Sequence, residues 1–196
     1  MSQTNSPDIP GFDEPQMVAE RPGWPKVVGI VSLVWGIFWV GCVGCGFAGI
    51  PLQEWGMSQN PETKSLLPIP DVFRPTTGQY VAMGLGGLLD LLLVFAGIAL
   101  LRRSASARTM HLAYGVLAAV LSVAGLVFAL QASAAQTQWL KDNPSSEWAK
   151  YVRPSANLLV GVVITIFSLA WPIFCLVWFG MVKRTHESML AEAPPA

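Results

Sequence analysis

Long apolar stretches alternate with shorter polar segments along this chain. Four stretches, residues 27–50, 81–101, 110–130 and 158–182, contain almost no charged side chains. Each is long enough to cross a bilayer, because about 20 apolar residues in a helix span a hydrocarbon core of about 30 Å. The pattern predicts an all-α membrane protein with four transmembrane helices.

The composition supports the same class. Hydrophobic residues make up 53% of the 196 residues and charged residues 12%, about half the share found in soluble domains. Because the formal net charge is zero, there is no basic surface of the kind that binds nucleic acid. The four spans leave no room for a separate soluble catalytic domain.

The spans define the expected domain organisation. Residues 1–25 are acidic and rich in proline, which predicts a disordered tail. This tail lacks the basic and apolar segments of a signal peptide, so we expect the first span to direct the chain to the membrane. Residues 26–184 form the predicted transmembrane domain, and residues 185–196 a second short tail.

The distribution of basic residues predicts the orientation. Arg102, Arg103 and Arg108 crowd the short connection between the second and third spans. Connections rich in arginine and lysine stay on the cytoplasmic side, so we place this turn and both termini in the cytoplasm. The bundle is then antiparallel, in the cell membrane of a bacterium, specifically the inner membrane.

Two longer segments become the outer loops in this topology. Residues 51–80 hold five prolines and are expected to be irregular or extended. In residues 131–157, Ser145 or Ser146 can cap a short helix that ends near Tyr151.

Small residues recur at helical spacing in three spans. Such seams allow close helix packing in lipid, although they do not distinguish contacts within one bundle from contacts between subunits. The seams are His111, Gly115, Ala118, Ser122, Gly125 and Ala129 in the third span; Ala82, Gly86, Asp90, Leu93 and Gly97 in the second; and Ser32, Gly36, Gly41, Cys45 and Gly49 in the first.

Asp90 is the single charged residue within the four spans. A charge at mid-membrane depth costs about 2.5–3.5 kcal/mol on insertion scales, so it usually serves a purpose. Counting the same depth along the other spans predicts a polar layer at this level. The layer contains Asp90, Ser122, Ser168 and Trp171, beside Pro172, which frees the carbonyl of Ser168.

This layer has two interpretations. In the first, Asp90 is protonated and donates a hydrogen bond to a serine or a freed carbonyl, as a clasp between helices. In the second, Asp90 gates or relays protons or cations, or binds a cationic substrate.

Cys42 and Cys45 form a Cys-x-x-Cys pair near the outer end of the first span. Such a pair can cycle between dithiol and disulfide. Four spans with a Cys-x-x-Cys pair in the first resemble the disulfide-bond formation protein B family, which implies oxidation of a partner and electron transfer to quinone. The chain differs from that family in having no cysteine in residues 131–157 and no arginine shortly after the pair. Buried cysteines are also ordinary packing residues.

The remaining polar residues do not predict a catalytic or metal site. Arg102, Arg103 and Arg108 could contact anionic lipid head groups. His111 is expected at the inner membrane boundary, close to Arg108. No residues stand at the spacing of a metal site, and no cofactor is expected.

The sequence therefore favours a non-enzymatic role. We expect a structural, assembly or interaction component of a membrane, with lipid and a second copy or another membrane protein as partners. A transport or channel subunit that uses Asp90 is one alternative, and a thiol–disulfide oxidoreductase that uses Cys42 and Cys45 is another.

Overall fold

The computed structural model describes residues 23–181, and the two predicted tails lie outside these residues apart from 23–25. The described chain is helical, with no strand between residues 23 and 181. Its helices are α1 (Trp24–Gln59), α2 (Thr77–Leu101), α3 (Ser106–Asp142), α4 (Trp148–Tyr151) and α5 (Pro154–Met181), with 3₁₀ turns at Lys64–Leu66 and Asp71–Phe73.

Four of these helices, α1, α2, α3 and α5, are long and apolar enough to cross a membrane. They contain the predicted spans apart from Val182, which lies outside the described residues, so the all-helical class and the number of candidate spans are confirmed. Helices α1 and α3 have 36 and 37 residues, about 54 Å at 1.5 Å per residue, and exceed a 30 Å core by about 24 Å.

The excess length lies in segments expected to be loops. Helix α1 continues through Pro51, so the expectation of irregular chain is wrong for residues 51–59. Helix α3 likewise continues to Asp142. The short helix expected after Ser145 or Ser146 is present as α4, but its N-cap residue is Glu147, which makes no side-chain cap hydrogen bond. The Ser146 hydroxyl accepts a hydrogen bond from the Trp148 amide at 3.3 Å.

The loops between these long helices pack on each other. The Phe73 ring lies between the rings of Trp139 and Trp148, at centroid distances of 5.1 and 5.3 Å. The Trp148 indole donates a hydrogen bond to the carbonyl of Leu66 at 3.1 Å. These aromatic contacts join the segment before α2 to the segment after α3.

In the bundle, α1 packs on α2, α2 on α3, and α3 on α5. Glycine allows the closest approaches. A Cβ atom on Gly97 would lie 2.9 Å from the carbonyl oxygen of Gly29, and one on Gly36 would lie 2.8 Å from that of Asp90. A Cβ atom on Gly115 would lie 3.1 Å from the carbonyl oxygen of Pro172. These seam positions therefore serve packing within the bundle.

Helices α2 and α3 meet in a tight turn. The amide of Ser104 donates to the carbonyl of Ala99 at 2.8 Å, and that of Arg103 donates to Leu100 at 3.0 Å. This is a Schellman arrangement, and Arg103 has the positive φ of 54° that such a turn requires. We call the end of the bundle that holds this turn the turn end, and the opposite end the loop end.

Burial is concentrated at the turn end. The buried positions of the long helices lie within residues 25–36, 93–100, 107–115 and 172–179. The loop-end halves of these helices contain no buried residue among those described. The bundle is thus tightly packed at one end and loosely packed at the other, and Asp90 lies just beyond the packed half.

Candidate functional site

Asp90 lines a cavity of about 170 Å³ among the long helices. Three hydroxyl-bearing residues line the same cavity: Tyr114 and Ser122 from α3, and Ser168 from α5. Trp39 contributes from α1. We call this space the Asp90 cavity. It brings one carboxyl group and three hydroxyl groups together among four apolar helices.

Helical spacing explains this convergence. Tyr114, Ala118 and Ser122 are four residues apart on α3 and share one face, and all three line the cavity. On α2, Gly86 lies one turn from Asp90 and also lines it. Because Gly36 has no side chain, α1 can contact the backbone of α2 at Asp90 itself.

The structure brings together part of the predicted polar layer. Asp90, Ser122 and Ser168 line the same cavity, as the matched depths indicated. Trp171 is not among the lining residues, and its ring packs against Phe174 and Trp35, with centroids 4.8 and 6.1 Å away. Pro172 is fully buried against Gly115 on α3.

The carboxyl of Asp90 makes no hydrogen bond to another described residue. The Ser168 hydroxyl instead donates to the carbonyl of Thr165 in its own helix, at 2.9 Å. The two ion pairs between residues 23 and 181 both involve Arg74, with Glu54 and Asp71. Asp90 therefore has neither a clasp partner nor a counter-ion within the described part of the chain.

Trp39 is the aromatic residue that α1 contributes to the cavity. Its indole N–H is buried and has no hydrogen-bond partner among the described residues. A buried donor without a partner costs about 1–3 kcal/mol. The face of an indole ring also attracts cations.

A second polar contact, which the sequence did not predict, lies closer to the turn end. His111 and Ser32 are fully buried, and Nε2 of His111 is 3.0 Å from Oγ of Ser32. The Nδ1 of His111 lies 2.8 Å from the carbonyl oxygen of Ala107. Because a carbonyl can only accept, Nδ1 carries the hydrogen, and in the neutral ring Nε2 accepts from the Ser32 hydroxyl.

The sequence did not predict that the His111 side chain is buried. It lies inside the bundle, where its ring stacks on Phe179 with centroids 4.4 Å apart. Its place on the small-residue seam of the third span was the signal that could have located it. A partner could also have been sought in Ser32, which lies on the seam of the first span.

The three arginines of the turn have different surroundings. Arg102 and Arg103 are exposed, whereas Arg108 is half-buried. The Nε of Arg108 donates to the carbonyl of Phe179 at 2.9 Å, near the end of α5. The carbonyl of Phe179 lies in the last turn of α5, and this bond gives it a donor from α3. Contact with lipid head groups stays a prediction.

The cysteine pair lies in the middle of α1. Cys42 is half-buried and Cys45 exposed, and both are free thiols in a helix that extends well beyond them on each side. They therefore lack the helix N-terminus that activates many redox thiols. Cys175, the third described cysteine, is fully buried near the turn end. Residues 23–181 contain no group of three or more metal-binding side chains.

Comparisons with known proteins give no further assignment. No protein-family model, curated protein or solved structure matches the chain, so the similarity to the disulfide-bond formation protein B family is limited to the features given above.

Proposed function

We propose that the chain is a multi-pass protein of the bacterial inner membrane, an antiparallel bundle with both termini in the cytoplasm. The order of contacts along the helices supports the antiparallel arrangement: Gly29 approaches Leu101, Gly36 approaches Asp90, and Gly46 approaches Met83. The exposed arginines of the turn support a cytoplasmic turn end.

A labelling experiment tests this orientation. Cysteine introduced at Ser104, in the turn, should be protected from a membrane-impermeant maleimide in intact cells. Cysteine introduced at Ser65, in the loop after α1, should react. The reverse pattern would contradict the orientation.

We infer that the protein binds a small cation in the Asp90 cavity, as a transport or channel subunit. The observation that carries this proposal is a carboxyl group that lines a cavity beside three hydroxyls and has no protein counter-ion among the described residues. In a low-dielectric interior a negative charge attracts a cation far more strongly than in water. The hydroxyl oxygens and the Trp39 ring can replace part of the cation's hydration shell.

The size and chemistry of the cavity restrict the range of possible ligands. A volume of about 170 Å³ suits a cation with few non-hydrogen atoms. An ammonium group can donate to the Asp90 carboxylate and to the oxygens of Tyr114, Ser122 and Ser168. Methylammonium is therefore an appropriate probe.

Binding of radiolabelled methylammonium to the purified protein in lipid nanodiscs tests the proposal. Asp90→Asn keeps the size of the side chain but removes its charge, and should weaken binding by at least about tenfold. Glu62→Gln is the matched control, because it removes an exposed carboxylate from a loop and should leave binding unchanged. Equal binding by the wild type and Asp90→Asn would refute the proposal. Methylammonium uptake into proteoliposomes then separates transport from binding alone.

A second candidate function is assembly with another membrane protein or a second copy. Gly41, Gly44 and Gly49 on α1 have no atom within 4 Å of an added Cβ, and Cys45 on the same helix is exposed. Small residues on an unoccupied face allow another helix to approach closely. Oxidative cross-linking of Cys45 in membranes should yield a covalent dimer if a second copy occupies this face. A Cys45→Ser variant is the control, and a protein that stays monomeric would exclude that contact.

A further inference from the structure

An apolar groove adjoins the Asp90 cavity. This groove has a volume of about 360 Å³ and lies between α2 and α3, toward the loop end. Its lining includes Ala82, Gly125, Phe128 and Ala129. Met83 and Leu121 line both spaces, so the groove and the Asp90 cavity are direct neighbours.

The two spaces differ sharply in chemistry. The carboxyl and all three hydroxyl groups belong to the Asp90 cavity, whereas Gln79 is the single residue with a polar side chain in the groove. A polar cavity with a carboxyl group therefore adjoins an apolar groove, and the side chains of Met83 and Leu121 form their common boundary. Asp90 and Met83 are seven residues apart on α2, about 10 Å along the helix axis.

We propose that the ligand is an amphiphilic cation with an ammonium head group and a flexible aliphatic chain. This inference rests on the proposed cation site at Asp90 and extends it to the class of substrate. The head group pairs with Asp90, and the chain passes Met83 and Leu121 into the groove. Charge complementarity selects the head group, and the apolar lining selects the chain.

Met83 is suited to the boundary between the two spaces. It is an unbranched side chain with three rotatable bonds, which can adapt to different chains. On its other side, its methyl group lies within contact distance of Gly46 on α1. The aliphatic chain of a ligand in the groove would therefore contact the flexible side chain of Met83 rather than rigid backbone atoms.

The groove can be filled without disturbing the bundle. An added Cβ on Gly125 has no atom within 4 Å, so Gly125→Leu should place a side chain in the groove at little packing cost. Gly56→Leu is a matched control, because Gly56 also has open space around an added Cβ but lies on α1, away from the groove. Ala82→Leu fills the same groove from α2 and provides a second, independent variant.

The experiment measures displacement of radiolabelled methylammonium by butyl-, hexyl- and octylammonium in nanodiscs, with empty nanodiscs as background. In the wild type, the concentration of octylammonium that displaces half of the probe should be at least about tenfold lower than the corresponding concentration of unlabelled methylammonium. Gly125→Leu and Ala82→Leu should retain methylammonium binding but lose the tighter binding of octylammonium, whereas Gly56→Leu should retain both.

The outcomes separate this inference from the proposed function. If methylammonium binds through Asp90 but chain length makes no difference, or both groove variants keep the tighter binding of octylammonium, the amphiphile proposal is overturned and the cation site stands. If neither methylammonium nor the longer amines bind in an Asp90-dependent manner, the cation site itself is refuted.

Discussion

The contact between α1 and α2 at Gly36 permits a quantitative prediction about packing. In Gly36→Ala, the new Cβ would lie 2.8 Å from the carbonyl oxygen of Asp90 and 2.8 Å from a methyl carbon of Val94. Ordinary contacts between such atoms are about 3.5–4.0 Å, so the helices must separate locally by about 1 Å. Overpacking of this kind costs about 1–3 kcal/mol.

Alanine substitutions at two other glycines of α1 separate this overpacking cost from the general effect of replacing glycine by alanine in a helix. Alanine is favoured over glycine in a helix by up to about 1 kcal/mol, and this term applies at all three positions. At Gly46 the added Cβ would meet the flexible end of Met83, which can move aside, and at Gly41 it would meet nothing. The free energy of unfolding should therefore be highest for Gly41→Ala, intermediate for Gly46→Ala, and about 1–3 kcal/mol lower for Gly36→Ala than for Gly41→Ala.

The free energies of unfolding can be measured in mixed micelles. Reversible unfolding is induced by increasing the fraction of denaturing detergent and is followed by circular dichroism. Equal stability of Gly36→Ala and Gly41→Ala would show that α1 and α2 do not approach each other closely at Asp90. Because Asp90 lines the cavity, Gly36→Ala should also weaken methylammonium binding, whereas Gly41→Ala should not.

Two further predictions concern single polar or strained positions, and the same unfolding assay tests both. Arg103→Gly should have a free energy of unfolding about 1 kcal/mol higher than Arg103→Ala, because both variants remove the same side-chain contacts but only glycine adopts the positive φ of this turn without strain, and equal stability of the two variants would contradict the assigned turn geometry. Ser32→Ala should lower the free energy of unfolding by about 1–3 kcal/mol, because Nε2 of His111 loses its buried partner, whereas Ser58→Ala at an exposed position should have little effect.

The helix ends illustrate what hydropathy leaves out. Hydropathy identified the four candidate spans, because apolar length depends only on composition. It did not locate the ends of α1 and α3, which continue through Pro51 and through the polar residues after Leu130. The part of a helix that extends beyond the apolar span is stabilised by contacts with neighbouring segments and by water. The residue at which the helix ends therefore does not follow from the length of the apolar span.

The small-residue seams were also predicted only in part from the sequence. Spacing placed Gly36, Gly97 and Gly115 on packing faces, and each lies at a close helix contact. The same spacing marked Gly41 and Gly49, which contact nothing within the described chain. A periodic pattern indicates a face of a helix, but the neighbour of that face depends on how the other helices are arranged.

The sequence by itself determined the helical class, the number of candidate spans and the shared depth of Asp90, Ser122 and Ser168, because all three depend on local composition and on the fixed rise of a helix. The tertiary structure decided that these residues line a cavity rather than form a hydrogen-bonded clasp, that His111 pairs with Ser32 inside the bundle, and that the long helices bury their side chains toward the turn end. Depth along a helix follows from counting residues, whereas the separation and rotation of helices result from the contacts of the whole bundle.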